Sequence, residues 1–316
     1  MAATTRKAAR SGVSTLARDA VRDFVDDGCP SLAAALSYYT IFSLPPFLVL
    51  LMLVLGVALD PADVRGALEG QIEGMVGPAG GEVARELLRQ AEQPFGRGLG
   101  AALVGGAALV LGATGAFGQL QAALNRVWEV QPDPAQGGLL NFLGKRVFSL
   151  LLVFGVAFFL LVSLVVSAVL SALGSGVSRA LPGTFSEPLL HALNFAVSFG
   201  VITLLFAAML KLLPDARVAW RDVWVGALVT ALLFVVGKFG IGFYLGRSNP
   251  GEAYGAAASL AAVLVWIYYA SMILMLGAEF TQLWARRRGA GVEPEPGAVK
   301  VYERERHGRA APVGSG

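Results

Sequence analysis

The chain has 316 residues, of which 55% are hydrophobic and 15% charged, with a mean hydropathy of +0.64, which excludes a soluble globular domain. A single cysteine, Cys29, excludes an internal disulfide framework. The 25 basic and 22 acidic residues nearly cancel, so the pI near 9.1 gives no reason to expect a nucleic-acid partner.

Residues 1–30 form a polar amino-terminal segment. From Val13 the apolar positions Leu16, Ala17, Ala20, Val21, Phe24 and Val25 fall on one helical face, opposite Arg18, Asp19, Arg22, Asp23 and Asp26. That pattern predicts an amphipathic helix along the cytoplasmic membrane interface. No cleaved signal peptide is expected, because the first apolar run starts only at Leu32, exceeds the length of an h-region and lacks a small-residue cleavage site.

The membrane domain is expected at 31–285, with six apolar stretches at about 32–59, 98–125, 147–173, 189–212, 223–245 and 254–284. Since about 20 apolar residues cross the hydrocarbon, each predicts one transmembrane helix. The fold class is therefore all-α and polytopic. The first stretch carries Pro45 and Pro46 at its middle, where the rings predict that the helix kinks or breaks near Ser43-Leu44; a re-entrant hairpin is the rival reading.

Between spans one and two, Val64, Leu68, Ile72 and Met75, and then Val83, Leu87 and Leu88 after Gly80-Gly81, predict two short external helices. Span two carries a polar line, Thr114, Gly118, Gln121 and Asn125, whose 4, 3, 4 spacing keeps it on one face. After span four, Arg217, Trp220 and Arg221 have the makings of an interfacial anchor. Span five is interrupted by Lys238 and span six by Glu279, while Gly255, Ser259, Ala262, Trp266 and Tyr269 repeat the small-and-polar face along span six. The tail, 286–316, is rich in Gly, Pro and charge, with Glu293-Pro294-Glu295-Pro296, and is expected to be disordered.

Eighteen of the 25 Lys and Arg fall in the amino-terminal segment, the second and fourth connections and the tail; six fall in the other connections and Lys238 lies inside a span. An excess of Lys and Arg marks the cytoplasmic side, so both termini are expected inside a bacterial inner membrane.

Four segments, Ala33–Pro46 (AAALSYYTIFSLPP), Gln119–Val130 (QLQAALNRVWEV), Leu213–Ala227 (LPDARVAWRDVWVGA) and Tyr254–Glu279 (YGAAASLAAVLVWIYYASMILMLGAE), occur in order, each at a fixed place relative to a span. Together they resemble the YihY/BrkB family of bacterial inner-membrane proteins, formerly described as ribonuclease BN, over roughly Asp27 to Trp284. The resemblance implies a six-helix bundle with both termini inside. It implies no settled activity; transport of a lipid or other amphiphile and a role in envelope integrity or virulence are what it suggests.

No catalytic residue and no cofactor are expected. His191 and His307 are the only histidines, too few for a metal-dependent nuclease, and neither a metal site nor a phosphate-cradling G-x-x-x-x-G-K-[ST] run is present in the sequence. Cys29 lacks a nearby His in sequence and reads as inert.

The intramembrane charges carry more information. Lys238 lies 15 residues beyond Val223 and Glu279 seven before Arg286, so they sit about 22 Å and about 10 Å from the cytoplasmic end and are not expected to pair. Glu279 reads as a structural latch to Arg126 or Arg217, or as a functional carboxylate; Lys238 snorkels outward or lines an open cavity. Tyr38, Tyr39, Gln121, Asn125, Lys238, Trp266 and Tyr269 are the candidates for a substrate path, with close helix packing as the alternative use of the same faces. Two functions compete: a transporter or flippase-like protein for a lipid or amphiphile, and a non-transporting envelope scaffold. An enzyme ranks third. The expected partners are membrane lipids and, as an open option, further copies of the chain.

Overall fold

The computed structural model describes residues 13–56, 60–76, 78–91, 99–133, 186–248, 258–289 and 292–301. These are mostly helical. Expected span three, 147–173, lies outside the described residues.

Helix α1 (Val13–Asp26) reaches α2 (Cys29–Leu55) through Gly28, whose φ of 70° is a left-handed conformation that glycine adopts without a Cβ penalty. Pro30 then sits in the first turn of α2, where its missing N–H costs nothing. In α1, Leu16 and Ala20 are buried and Phe24 packs on the core, whereas Val21 and Val25 are exposed, so only part of the apolar stripe faces protein.

Of the expected kink or break at Pro45 and Pro46, the break is corrected: α2 runs through both as one helix. Each ring removes a single donor, whereas a true break would strand a turn of backbone groups in an apolar setting. Neighbouring α5 (Leu99–Val127) makes room for them. A Cβ built at its Gly112 would stand 2.7 Å from Pro46 Cγ, and one at Gly115 3.2 Å from Ser43 Oγ. Glycines in α5 thus let the proline-bearing helix approach closely.

Helices α3 (Pro61–Val76) and α4 (Pro78–Ala91) form a hairpin where two short helices were expected. Val64, Leu68 and Leu88 bury themselves with Leu48, Leu51 and Leu55 of α2, and Glu69 meets Arg85 at 3.8 Å.

The chain continues from α5 into β1 (Val130–Pro132), and later through α6 (Ser186–Leu212), β2 (Ala216–Arg217), α7 (Trp220–Ser248), α8 (Ala258–Arg287), β3 (Glu293–Pro294) and β4 (Ala298–Lys300). Stretches within α2 (Cys29–Met52), α6 (Phe195–Leu212), α7 (Trp220–Ile241) and α8 (Leu260–Arg287) are long and apolar enough to cross a membrane. On α7 the side chains of Trp224, Leu228, Leu232 and Val236, four residues apart, together with Phe239, form an exposed apolar stripe that water would not tolerate.

Helices α7 and α8 interlock through reciprocal notches. Thr281 of α8 fills the space over Gly226, and Thr230 of α7 fills the space over Gly277; each hydroxyl donates back to a carbonyl of its own helix, Thr230 to Gly226 at 2.7 Å and Thr281 to Gly277 at 2.6 Å. A third notch, Gly237, receives the Tyr269 ring, whose hydroxyl donates to the Leu233 carbonyl at 3.1 Å. All three hydroxyls are satisfied by backbone carbonyls of α7 and α8.

The tail needs a second correction. Residues 293–300, expected to be disordered, pair with the connections: β4 runs antiparallel to β1 with Gln131 opposite Val299, and β3 antiparallel to β2 with Arg217 opposite Glu293. Low hydrophobicity kept this segment from building its own core, but it borrows strand edges already fixed by the helices. Pro296-Gly297 turns the chain between its two strands, Gly297 taking φ 91° and Ala298 N–H donating to the Glu295 carbonyl at 2.9 Å. Residues 302–316 lie outside the described residues.

Candidate functional site

Three polar or aromatic groupings carry the buried chemistry of the described residues. The first joins the end of α5 to the loop after α6. Gln121 Nε2 donates to Asp215 Oδ1 at 2.9 Å, Asn125 Nδ2 donates to Asp215 Oδ2 at 2.8 Å, and Asp215 N–H donates back to Asn125 Oδ1 at 2.8 Å. The Asp215 carbonyl accepts from Glu295 N–H at 2.9 Å, so tail, loop and helix meet at one residue. Charge-assisted bonds of this kind are about twice as strong as neutral ones. Gln121 and Asn125, placed on one face by their spacing, are thus occupied by a loop carboxylate rather than open to a cavity.

The second grouping is aromatic. Phe206 of α6, Phe234 of α7 and Trp266 of α8 stack edge to face with centroids 5.6 Å apart at each step, and Tyr269 stands 6.1 Å beyond Trp266. Trp266 is buried, and Tyr269 is half-buried in its glycine notch. Lys238, next to that notch, is half-buried and has no hydrogen-bond or ion-pair partner among the described residues. Tyr38 and Tyr39 are exposed on α2 with Phe42, their rings in contact with one another at 4.8 to 5.9 Å. The seven candidate path residues therefore divide into a loop-clamped pair, a packed aromatic pair, a half-buried lysine and an exposed tyrosine pair.

The third grouping lies between α2 and α8. Glu279 is fully buried, and its Oε1 accepts from the Cys29 thiol at 3.6 Å while Oε2 has no hydrogen-bond partner. The expected latch from Glu279 to Arg126 or Arg217 is corrected on this geometry. Both arginines are exposed, and Arg217 is held out in strand β2. The cations that do latch the helix ends come about two turns later. Arg286 pairs with Glu129 at 2.6 Å, Arg287 with Asp19 at 2.6 Å, and Arg288 approaches Asp222 at 3.8 Å, linking α8 to the end of α5, the middle of α1 and the start of α7. Asp222 is wholly buried with neither carboxylate oxygen hydrogen-bonded, so Arg288 is its main compensation. The anchor residues Trp220 and Arg221 are exposed at the start of α7, and Lys211 lies 5.9 Å over the Trp220 ring.

Nearby, burial and then the negative neighbours Asp27, Asp19 and Asp26 hold the Asp23 carboxyl above its ordinary range, against the lowering pull of Arg286. Among the described residues no group of three His, Cys, Asp or Glu is placed to hold a metal ion.

Asp215, Asp222 and Cys29 escaped a reading by spacing because their partners are distant in sequence: 94 residues separate Asp215 from Gln121 and 250 separate Cys29 from Glu279. The signal that was available is the Leu213–Ala227 segment, which holds both aspartates.

Comparison with known proteins bears on the whole arrangement. The sequence model described as Virulence factor BrkB matches residues 20–301. A UPF0761 membrane protein of Ralstonia nicotianae is 29% identical over 88% of this chain and 62% of its own length, and one of Alkalilimnicola ehrlichii 31% identical over 85% and 59%. A third, from Pseudoalteromonas translucida, is 29% identical over 81% of each chain. The chain spans about three fifths of the first two relatives. No solved structure matches. With a family match from the second half of α1 to the end of β4, the chain belongs to the BrkB family of membrane proteins.

Proposed function

We propose that this membrane protein moves a lipid or other amphiphile between leaflets, as a transporter or flippase-like protein of a bacterial inner membrane. In this reading it has six spans, both termini are cytoplasmic, and α1 lies along the cytoplasmic interface. The observation that carries it is the manner in which the polar face of α5 is closed. Its amides are covered by Asp215 from a connecting loop, and a loop can lift away where a packed helix cannot. The exposed pair Tyr38 and Tyr39 and the half-buried Lys238 supply amphiphilic surface along the same bundle. The protein acts on non-covalent contacts alone, without a cofactor, with membrane lipids as partners, and it is not an enzyme.

A scaffold is the second reading. It is favoured by Trp266 and Tyr269, which close helix contacts instead of facing an opening.

The test uses purified protein in liposomes carrying a fluorescent phospholipid analogue whose outer-leaflet copies are quenched chemically. Quenching beyond that of protein-free vesicles is expected for the wild type. Gln121→Leu with Asn125→Leu should abolish that movement while the protein still inserts. If instead the double variant is destabilised and its folded fraction moves lipid normally, the transport reading fails and the scaffold stands.

A further inference from the structure

An acid and the sole thiol of this protein are buried against each other at one end of the α2–α8 contact. Both Cys29 and Glu279 have 0% of their surface exposed, and the thiol reaches Oε1 at 3.6 Å. The second oxygen of Glu279 is also buried and has no hydrogen-bond partner. The groups around them are mostly acidic. Asp27 faces the pair from the α1–α2 turn with its carboxyl within hydrogen-bonding reach of Glu279, and Asp23 faces it from α1, while Arg126 of α5 is the cation that acts on the thiol. Gln282, one turn along α8, is buried with its Nε2 unpartnered, and Arg286 acts on Asp23 and pairs with Glu129.

A bare carboxylate in that setting would have a weak thiol donor, one unpartnered oxygen and two acids for neighbours, its surface wholly covered by protein. The same carboxyl carrying a proton is neutral, keeps its bond from the thiol at one oxygen, and leaves no buried charge. We propose that Glu279 is a proton-binding site, occupied in this closed state and emptied to cytoplasmic water when α2 and α8 part. In the step, one carboxyl O–H bond breaks, the electron pair stays on the carboxylate, and the proton leaves to water. The inference rests on the transport reading and supplies its driving ion.

Two measurements on the full chain test it. The infrared spectrum of the protein in lipid at neutral pH should contain the C=O stretch of a dry, protonated carboxyl, absent in Glu279→Gln and retained in Asp27→Asn. An unchanged spectrum in Glu279→Gln overturns the proposal whatever the transport result. Should that variant fail to fold, Cys29→Ser carries the test: a hydroxyl donates more strongly than a thiol, so the band must shift, and no shift overturns the assignment. In liposomes, movement of the phospholipid analogue should depend on an imposed pH gradient in the wild type and lose that dependence in Glu279→Gln. Equal wild-type movement with and without the gradient removes the proton from the cycle and leaves transport standing. No movement under any gradient overturns the transport reading, and the infrared band then decides Glu279 alone.

Discussion

At Gly226, Gly277 and Gly237 the α7–α8 contact admits no Cβ. A methyl group at Gly226 would run into Thr281, including its Cβ at 2.8 Å and Cγ2 at 2.9 Å, and Thr is stiff at χ1, so backbone must move. Overpacking of this sort costs about 1–3 kcal/mol, which exceeds the gain of up to about 1 kcal/mol from replacing glycine by alanine in a helix. Gly226→Ala should therefore melt several degrees lower than the wild type. Gly240→Ala on the same helix, where a Cβ meets nothing within 4 Å, should melt at or above it. Equal melting of the two would show that the notches are not tight. Asp23 gives a residue-scale dependence on pH. Its folded-state carboxyl titrates above its ordinary range, so its favourable contribution is full below the unfolded value and is lost as pH rises through the folded one. Asp23→Asn should accordingly raise melting at neutral pH and flatten the decline that the wild type undergoes from acid to neutral, measured by melting across that range. At this scale the sequence was legible where spacing alone places a side chain: Gln121 and Asn125 do share a face. Their partner was not legible, because no local rule brings a loop aspartate 90 residues away onto that face.

The end of α8 is where elements are joined. Arg286 and Arg287 bind partners that are themselves about half exposed, and such pairs contribute about 0–1 kcal/mol. Arg288 differs because Asp222 is buried without hydrogen bonds. Losing the cation leaves an uncompensated buried acid, at a cost of about 1–3 kcal/mol or more. Arg288→Ala should thus destabilise more than Arg286→Ala, and Asp222→Asn added to Arg288→Ala should restore much of the loss. Additive effects in that double-mutant cycle would contradict the pairing. Helices were legible as elements because apolar length and 3.6-residue periodicity are local properties; α2, α5, α6, α7 and α8 lie within a few residues of their expected positions. The course of α2 through Pro45-Pro46 was not, since it depends on glycines of another helix. The strands of the tail were missed for a like reason: composition reports what a segment can bury by itself, not which edges the fold will offer it.

Across the whole molecule, the end holding the charged connections is tied together by the Asp215 cluster, the arginines of α8 and two small antiparallel sheets. The opposite end is held by apolar packing of α3 and α4 on α2. In the transport reading proposed above, the moving part of the cycle is Asp215, whose loop lifts from α5 for the amide face to open. The most direct measurement joins that loop to α5 reversibly. In a Cys29→Ser background, cysteines at the exposed positions 122 and 217, which leave Gln121, Asn125 and Asp215 in place, are bridged by a reducible bis-methanethiosulfonate linker in protein reconstituted with the fluorescent phospholipid analogue. Bridging should stop lipid movement and reductant should restore it, with either single-cysteine protein unaffected by the reagent. Undiminished movement in fully bridged protein would contradict the account.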